Sequence, residues 1–165
     1  MVVRVNVSQE IDAKDRAILS LVQRDAKLQQ AEIARRVGLS AAAVNERLKK
    51  LDASGVIRHY AAVVDPHALG SGITAFVEVF IEQPRFERDF IERVRALEEV
   101  QECHYITGEF SLLLKVRVRD MAELRDLLLH QFNAMEGVRQ TRTIMVLSTA
   151  KEEGYVPTGV KGTPS

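Results

Sequence analysis

The chain has 165 residues, of which 46% are hydrophobic and 28% charged, and its 23 Lys and Arg balance its 23 Asp and Glu. This composition excludes a disordered tail, a collagen and a disulfide scaffold, and the zero net charge excludes a uniformly basic nucleic-acid protein. No apolar run approaches the ~18 residues of a membrane span, residues 1–12 lack a signal-peptide pattern, and the single cysteine, Cys103, suits a reducing compartment. We therefore expect a cytoplasmic protein of one large domain or two small ones.

The charge is unevenly distributed along the chain. Residues 1–65 hold 11 basic and 8 acidic residues, whereas residues 66–165 hold 12 and 15. The basic excess is concentrated in residues 35–50, which contain five Lys or Arg and one acidic residue, Glu46. Such a patch on a neutral chain indicates a surface that binds a polyanion, although a charge run is also typical of a solvated helix face.

Three helices are predicted in the first half. Asp12 is a good N-cap for the first helix. Gly38 ends a second helix over residues 30–37, because glycine accepts the left-handed conformation of a helix end. Ser40 caps a third helix that runs to about residue 53. The predicted inward-facing residues recur at helical spacing: Ile18, Leu21, Val22, Ile33, Ala34, Val37, Val44, Leu48 and Leu51.

Two short β-prone runs, residues 56–60 and 61–64, follow the third helix and predict a hairpin. Residues 12–65 then form a winged helix-turn-helix. An ordinary three-helix bundle is the alternative, but it does not explain why the third helix begins with three alanines, at 41, 42 and 43. Small side chains let a helix approach base edges in the ~12 Å major groove of double-stranded DNA, which favours DNA binding.

The residue types of the third helix predict two kinds of DNA contact. Asn45 can bond bidentately to adenine, and Ala41 and Ala42 can meet thymine methyl groups. The residues better suited to phosphates, which position the protein without specifying sequence, are Ser40, Arg47, Lys49, Lys50 and Arg58. Arg47 could instead form an ion pair within the protein, for example with Asp52.

The second half alternates strand and helix patterns. Period-two alternation predicts strands at 73–82, 100–107, 110–119 and 138–149, and two amphipathic stripes predict helices between them. This order, βαββαβ, predicts an α+β ferredoxin-like domain over 73–150, with both helices on one face of an antiparallel sheet. The other face carries Phe76, Phe80 and Leu113, so we expect another subunit to bury it. The remaining segments are an N-terminal arm (1–11), a linker (66–72) and a C-terminal tail (151–165), expected to be disordered from 156 onward.

Several motifs, in the right order over residues 11–151, resemble the Lrp/AsnC family of feast/famine regulators. They are Asp12-x-x-Asp15-x-x-Ile18-Leu19, the run from Glu32 to Ser40, Val44-x-x-Arg47-Leu48-x-x-Leu51, Gly55-Val56-Ile57, Asp65-Pro66-His67, the run from Gln101 to Phe110, Arg119-Asp120-Met121 and Thr141-Arg142-Thr143. The resemblance implies a transcriptional regulator, associated with the nucleoid, whose DNA binding or assembly responds to a small metabolite, usually an amino acid. It also implies homodimers that assemble into octameric rings.

The resemblance places the effector site between dimers, near the loop after the second strand. Its implied residues are Thr107, Gly108, Glu109 and Ser111, flanked by Tyr105, Met121, Ile144, Met145 and Val146. The apolar lining favours a ligand such as leucine or methionine, although Met121 and Val146 could equally be core residues. The family often has an aspartate where this chain has Ser111. Either Glu109 takes over from that carboxylate, or the ligand differs, or binding is weak.

An enzyme is not expected. The four histidines have no metal-ligand spacing, and no glycine-rich phosphate loop is present, so we expect no catalytic residue, metal or cofactor. Two other classes stay open. One is an architectural DNA-packing protein that ignores ligands, and the other is an amino-acid-sensing module that regulates an enzyme.

Overall fold

The computed structural model describes residues 10–159. By internal contacts the chain divides into two compact units, at Ala62/Val63 and again at Lys151/Glu152. The second unit is therefore inserted into the first. The first unit contains α1 (Ala13–Val22), α2 (Gln30–Val37) and α3 (Ala41–Ala53).

The helix bounds of the first unit follow local signals. Asp12 and Asp15 form a reciprocal capping box at the start of α1. Gly38 adopts φ 65° at the end of α2, and the Ser40 hydroxyl accepts a 3.2 Å hydrogen bond from the Ala43 N–H at the start of α3. The three predicted helices are confirmed. Their shared core consists of Ile18, Val22, Ile33, Ala34, Val37 and Val44.

The predicted hairpin is wrong for the residues described. The chain from 56 to 64 contains no strand, and Val63 and Val64 are fully and half exposed. A tight hairpin favours residues that accept positive φ in its turn, but Tyr60, Ala61 and Ala62 lie where the turn would be. The β-prone residues are extended without a cross-strand partner, so β propensity alone does not form a ladder here.

The second unit is an α+β domain with the predicted βαββαβ order. Its strands are β1 (Ile73–Ile81), β2 (Val100–Tyr105), β3 (Leu112–Val118) and β4 (Val138–Met145). They form one antiparallel sheet in the order β2-β3-β1-β4. Predicted strand ends at 107, 119 and 149 extend too far, because hydrogen-bonded pairing stops earlier.

The helices of the second unit lie between these strands. A short 3₁₀ turn, Pro84–Phe86, leads into α4 (Glu87–Val94), and α5 (Met121–Asp126) continues as a π-helical segment, Leu127–Phe132. The inward residues of β1 and β3 are buried with those of the helices: Ala75, Val77, Val79, Ile81, Leu112, Leu114, Val116, Val118, Phe90, Val94, Leu124, Leu127 and Phe132. No helix among residues 10–159 is both long enough and apolar enough to cross a membrane.

The C-terminal tail differs from its prediction. Residues 152–159 group with the first unit. Within the stretch expected to be disordered from residue 156 onward, Val156 bonds to Gln23 and Thr158 to Arg16. Polar groups on α1 provide the partners that the tail sequence by itself does not reveal. The rest of the expected disordered tail, 160–165, and most of the expected arm, 1–9, lie outside the described residues.

Candidate DNA-binding and effector sites

The predicted DNA-contact residues of α3 do not share one direction. Val44 and Leu51 are fully buried, and Ala41 and Ala42 are exposed. Each residue advances about 100° around a helix, so Asn45 and Arg47 are separated by about 160°. The two side chains therefore lie on opposite edges of the exposed surface of α3, and each meets a different neighbouring helix.

Arg47 contacts the start of α1. Its Nη1 donates to Oδ2 of Asp12 and to Oδ1 of Asp15, each over 2.7 Å, and Asp15 is only 5% exposed. The N–H of Asp15 and the guanidinium of Arg47 together lower the pKa of Asp12. Asp52, the partner considered from the sequence, instead accepts a 3.3 Å bond from the Tyr60 hydroxyl. Arg47 is thus an ion-paired link between α3 and α1.

Asn45 contacts the start of α2. Its Oδ1 accepts a 3.1 Å hydrogen bond from Nε2 of Gln30. Gln30 is not among the predicted DNA-contact residues, because only the packing of α2 against α3 brings the two amides together. In this arrangement the Nδ2 donors of Asn45 stay available for a base or a phosphate.

Most of the basic patch is ion-paired. Arg35 and Arg36 lie 2.7 and 2.6 Å from Glu32 Oε1, and their hydrogen bonds lower the pKa of Glu32 to about 2. Lys49 lies 3.4 Å from Glu46. Lys50 and Arg58 are exposed and form no ion pair with any residue from 10 to 159. Exposed pairs are worth little, so phosphates can displace them, but Lys50 and Arg58 are available without that exchange.

The loop from 106 to 111 lies where β1 ends. The Ser111 N–H donates to the Val79 carbonyl over 3.1 Å, and the Ser111 carbonyl accepts from Ile106 N–H over 3.1 Å. Gly108 adopts φ 124°, and a Cβ there would have no atom within 4 Å. A side chain is therefore disfavoured by the backbone angle and not by crowding. The loop keeps its backbone open beside the exposed side chains of Thr107 and Glu109.

The predicted effector residues separate into two groups at opposite ends of the sheet. Leu112, beside Ser111, pairs with Val79, whereas Met145 pairs with Ala75, about 13 Å back along β1. The first group, which we call the loop group, is Tyr105, Thr107, Gly108, Glu109 and Ser111. The second, which we call the strand-end group, is Met121, Ile144, Met145 and Val146. Within one chain the strand-end group therefore does not lie beside the loop, and the predicted site between dimers stays a prediction.

The strand-end group is largely exposed. Met121 is 58%, Ile144 47% and Met145 38% exposed, and Val146 is half-buried. Met121 is therefore not a core residue of the single chain. In the loop group, Tyr105 is 64% exposed, and partial burial and the nearby Glu87 raise its pKa. Large apolar side chains are thus exposed to solvent at both ends of the sheet.

A helix-turn-helix unit joined to a βαββαβ domain that carries exposed apolar residues defines a transcriptional regulator with a sensor domain. A family model described as winged helix-turn-helix DNA-binding matches residues 11–58, and one described as Lrp/AsnC ligand binding domain matches residues 74–156. The chain belongs to the Lrp/AsnC family. Its relatives are transcriptional regulators and not enzymes.

Individual relatives agree with this assignment. The leucine-responsive regulatory protein of Escherichia coli K12 is 38% identical over 146 residues, which cover 87% of this chain and 89% of that protein. The structure of a Neisseria meningitidis transcriptional regulator in complex with L-methionine aligns with TM-score 0.86 and 32% identity, covering 90% and 97% of the two chains. AsnC of E. coli aligns with TM-score 0.83 and 26% identity, covering 89% and 99%.

Proposed function

We propose that this regulator responds to leucine or methionine and that the effector site is completed by two chains. The separation of the loop group from the strand-end group carries this proposal. One chain offers polar and backbone groups at one end of the sheet and apolar side chains at the other, whereas an amino acid needs both at once. The relative named leucine-responsive and the relative bound to L-methionine support this ligand class.

The open face of the sheet is the proposed subunit contact. Phe76, Phe80 and Leu113 are half-buried there, and register places the Glu78–Arg142 ion pair on the same face. No helix of residues 10–159 covers these side chains, so a second copy would bury them. We propose a homodimer that assembles further into an octamer, located in the cytoplasm on nucleoid DNA.

For DNA, we propose that Ala41, Ala42 and Asn45 meet base edges. Lys49, Lys50 and Arg58 would contact phosphates, as would Ser40, whose hydroxyl caps α3 as an acceptor and keeps its proton to donate. For Arg47 we propose a positioning role in place of the predicted phosphate contact, because two carboxylates already hold its guanidinium.

Calorimetry and light scattering test the effector and assembly proposals together. Leucine or methionine should bind the wild type, and scattering should report at least a dimer at micromolar concentration. Phe80→Asp should yield monomers or insoluble protein, because it places an unpaired charge in the contact. The control is Leu129→Asp. Leu129 lies in the π-helical segment and is 51% exposed, so this variant should keep the assembly. A folded wild-type monomer contradicts the assembly.

A second candidate function is a ligand-independent, architectural DNA-packing protein. Ser111 favours it, because a hydroxyl is a weaker partner than a carboxylate for an amino-acid ammonium group. Under this hypothesis none of the twenty amino acids raises the melting temperature of the wild type, although DNA binding and assembly persist. Stabilisation by leucine or methionine in the same thermal-shift screen contradicts it.

A further inference from the structure

Residues 155–158, near the end of the described chain, contact α1 and the residues just after it. The Val156 N–H donates to Oε1 of Gln23 over 2.8 Å, and Nε2 of Gln23 donates back to the Val156 carbonyl over 3.1 Å. One side-chain amide thus satisfies both backbone groups of one residue, as a neighbouring strand would. This pairing fixes where the segment lies along the helix.

Three further contacts extend along the same helix. Oη of Tyr155 and Oγ of Ser20 are 3.2 Å apart, and Ser20 is only 6% exposed. Nη1 of Arg16 donates to the Thr158 carbonyl over 3.3 Å. The guanidinium of Arg24 lies 5.5 Å from the centre of the Tyr155 ring, within the range of a cation–π interaction.

These helix residues form a stripe. Arg16, Ser20 and Gln23 follow the spacing i, i+4, i+7, so they share one face of α1. Ile18 and Val22 point about 130–170° away from the centre of this stripe, into the helical core. α1 therefore has two contact faces, one apolar towards α2 and α3 and one polar towards the C-terminal segment.

We propose that the Arg16–Ser20–Gln23 stripe is a peptide-docking surface, that its occupant is the chain's own segment 155–158, and that docking strengthens DNA binding. The occupant is specified by the structure, since the contacts involve the backbone of Val156 and Thr158 and the Tyr155 hydroxyl. The proposal goes beyond the amino-acid response and needs no effector.

The link to DNA runs through α1. Its first turn provides the carboxylates that hold Arg47 of α3, so a more rigid α1 gives a more rigid α3. Conformational freedom that α3 has already lost in the protein without DNA is not lost again when DNA binds. The docked segment should therefore raise operator affinity.

Full-length point variants test the proposal. Gln23→Ala removes the amide pairing, and Tyr155→Phe removes a single oxygen and leaves the fold intact. The control is Val156→Ala, because the Val156 side chain is 67% exposed and both backbone hydrogen bonds survive the change. Hydrogen–deuterium exchange of the α1 and 155–158 amides, with that of β1 as internal reference, measures docking. A fluorescence titration with operator DNA measures affinity.

Both variants should speed exchange in α1 and in the segment while β1 is unchanged. They should weaken operator binding by about fivefold each, the equivalent of one hydrogen bond, and Val156→Ala should match the wild type. Unchanged exchange overturns the docking, and faster exchange with unchanged affinity overturns its role in DNA binding. Neither measurement includes added leucine or methionine. Failure of the effector proposal, which calorimetry detects, is therefore a separate result.

Discussion

Arg47 and Asp15 lie 2.7 Å apart, and through this bond the third helix of the DNA-binding unit is held to the start of the first. Asp15 is almost fully buried, so its carboxylate depends on Arg47 and on the capping N–H of Asp12. Arg47, whose type and position predicted a phosphate contact, is therefore already ion-paired in the protein without DNA. Lys50, one turn further on, is exposed and forms no ion pair with any residue in the described range 10–159.

Arg47→Met and Lys50→Met each remove one positive charge from α3. Comparing the two variants should therefore distinguish an effect on stability from an effect on DNA binding. Arg47→Met should lower the free energy of unfolding by about 1–3 kcal/mol, because it leaves a buried carboxylate short of a partner. Lys50→Met should change that free energy by less than about 0.5 kcal/mol. Urea unfolding followed by circular dichroism measures both.

The same two variants should differ in their salt dependence. Lys50→Met should weaken binding to all sequences alike and flatten the slope of log affinity against log salt by about 1. If Arg47→Met leaves stability intact and flattens the slope instead, Arg47 contacts phosphate and its positioning role is wrong.

The Gln30–Asn45 bond predicts a loss of sequence discrimination. Gln30→Ala frees the Asn45 amide to rotate, so affinity for the cognate operator should fall several-fold while affinity for random DNA stays unchanged. Asn45→Ala should cost about 1–3 kcal/mol on the cognate site alone. In the Asn45→Ala background, Gln30→Ala should have no further effect, and Gln29→Ala serves as the exposed neighbouring control. An additive double variant would show that Gln30 acts independently of Asn45.

Glu32 predicts part of the acid sensitivity of the DNA-binding unit. Its pairing with Arg35 and Arg36 lowers its pKa from 4.5 to about 2, so the folded state favours the charged form. This contribution to stability is complete above pH 4.5 and is lost as the pH falls from 4.5 towards about 2. Glu32→Gln should therefore differ from the wild type in melting temperature above pH 4.5, and the two curves should converge near pH 2.

Ser111 predicts how an amino-acid ligand is oriented. If its ammonium group lies near this residue, Ser111→Asp should tighten leucine or methionine binding by about fivefold or more, since a carboxylate accepts a stronger hydrogen bond than a hydroxyl. Ser111→Asn is the matched neutral control and Ser111→Ala should change little, whereas Glu109→Gln should weaken binding if Glu109 is the ammonium partner. Calorimetry compares the four. Abolished binding in Ser111→Asp would place the ammonium elsewhere and withdraw the amino-acid assignment.

The helices were predictable because their signals are local. Asp12 and Ser40 bond to backbone groups three residues on, and Gly38 relieves a strain that arises at one position. The alternation of β1 and β3 was equally direct, because each strand shows its buried face in its own sequence. Caps, turns and periodicity require no knowledge of distant residues.

What was not predictable depends on residues far apart in the chain. The partner of Arg47 is 32 residues away and the partner of Val156 is 133 residues away, so no spacing rule identifies either pair. The effector residues were grouped by resemblance, and only the strand register showed that Ser111 and Met145 lie at opposite ends of β1. The hairpin failed for a related reason, since residues prone to β structure still need a partner strand.

The DNA-binding unit consists of two separate parts of the chain, so its parts are synthesised at different times. α3 is complete when residue 53 has left the ribosome, but the polar face of α1 acquires its cover only when residues 155–158 follow, after the whole sensor domain. At ordinary translation rates that interval is about 5–20 s. A nascent chain therefore carries a finished recognition helix on an unfinished unit, and residues 155–158, made after the sensor domain, complete that unit.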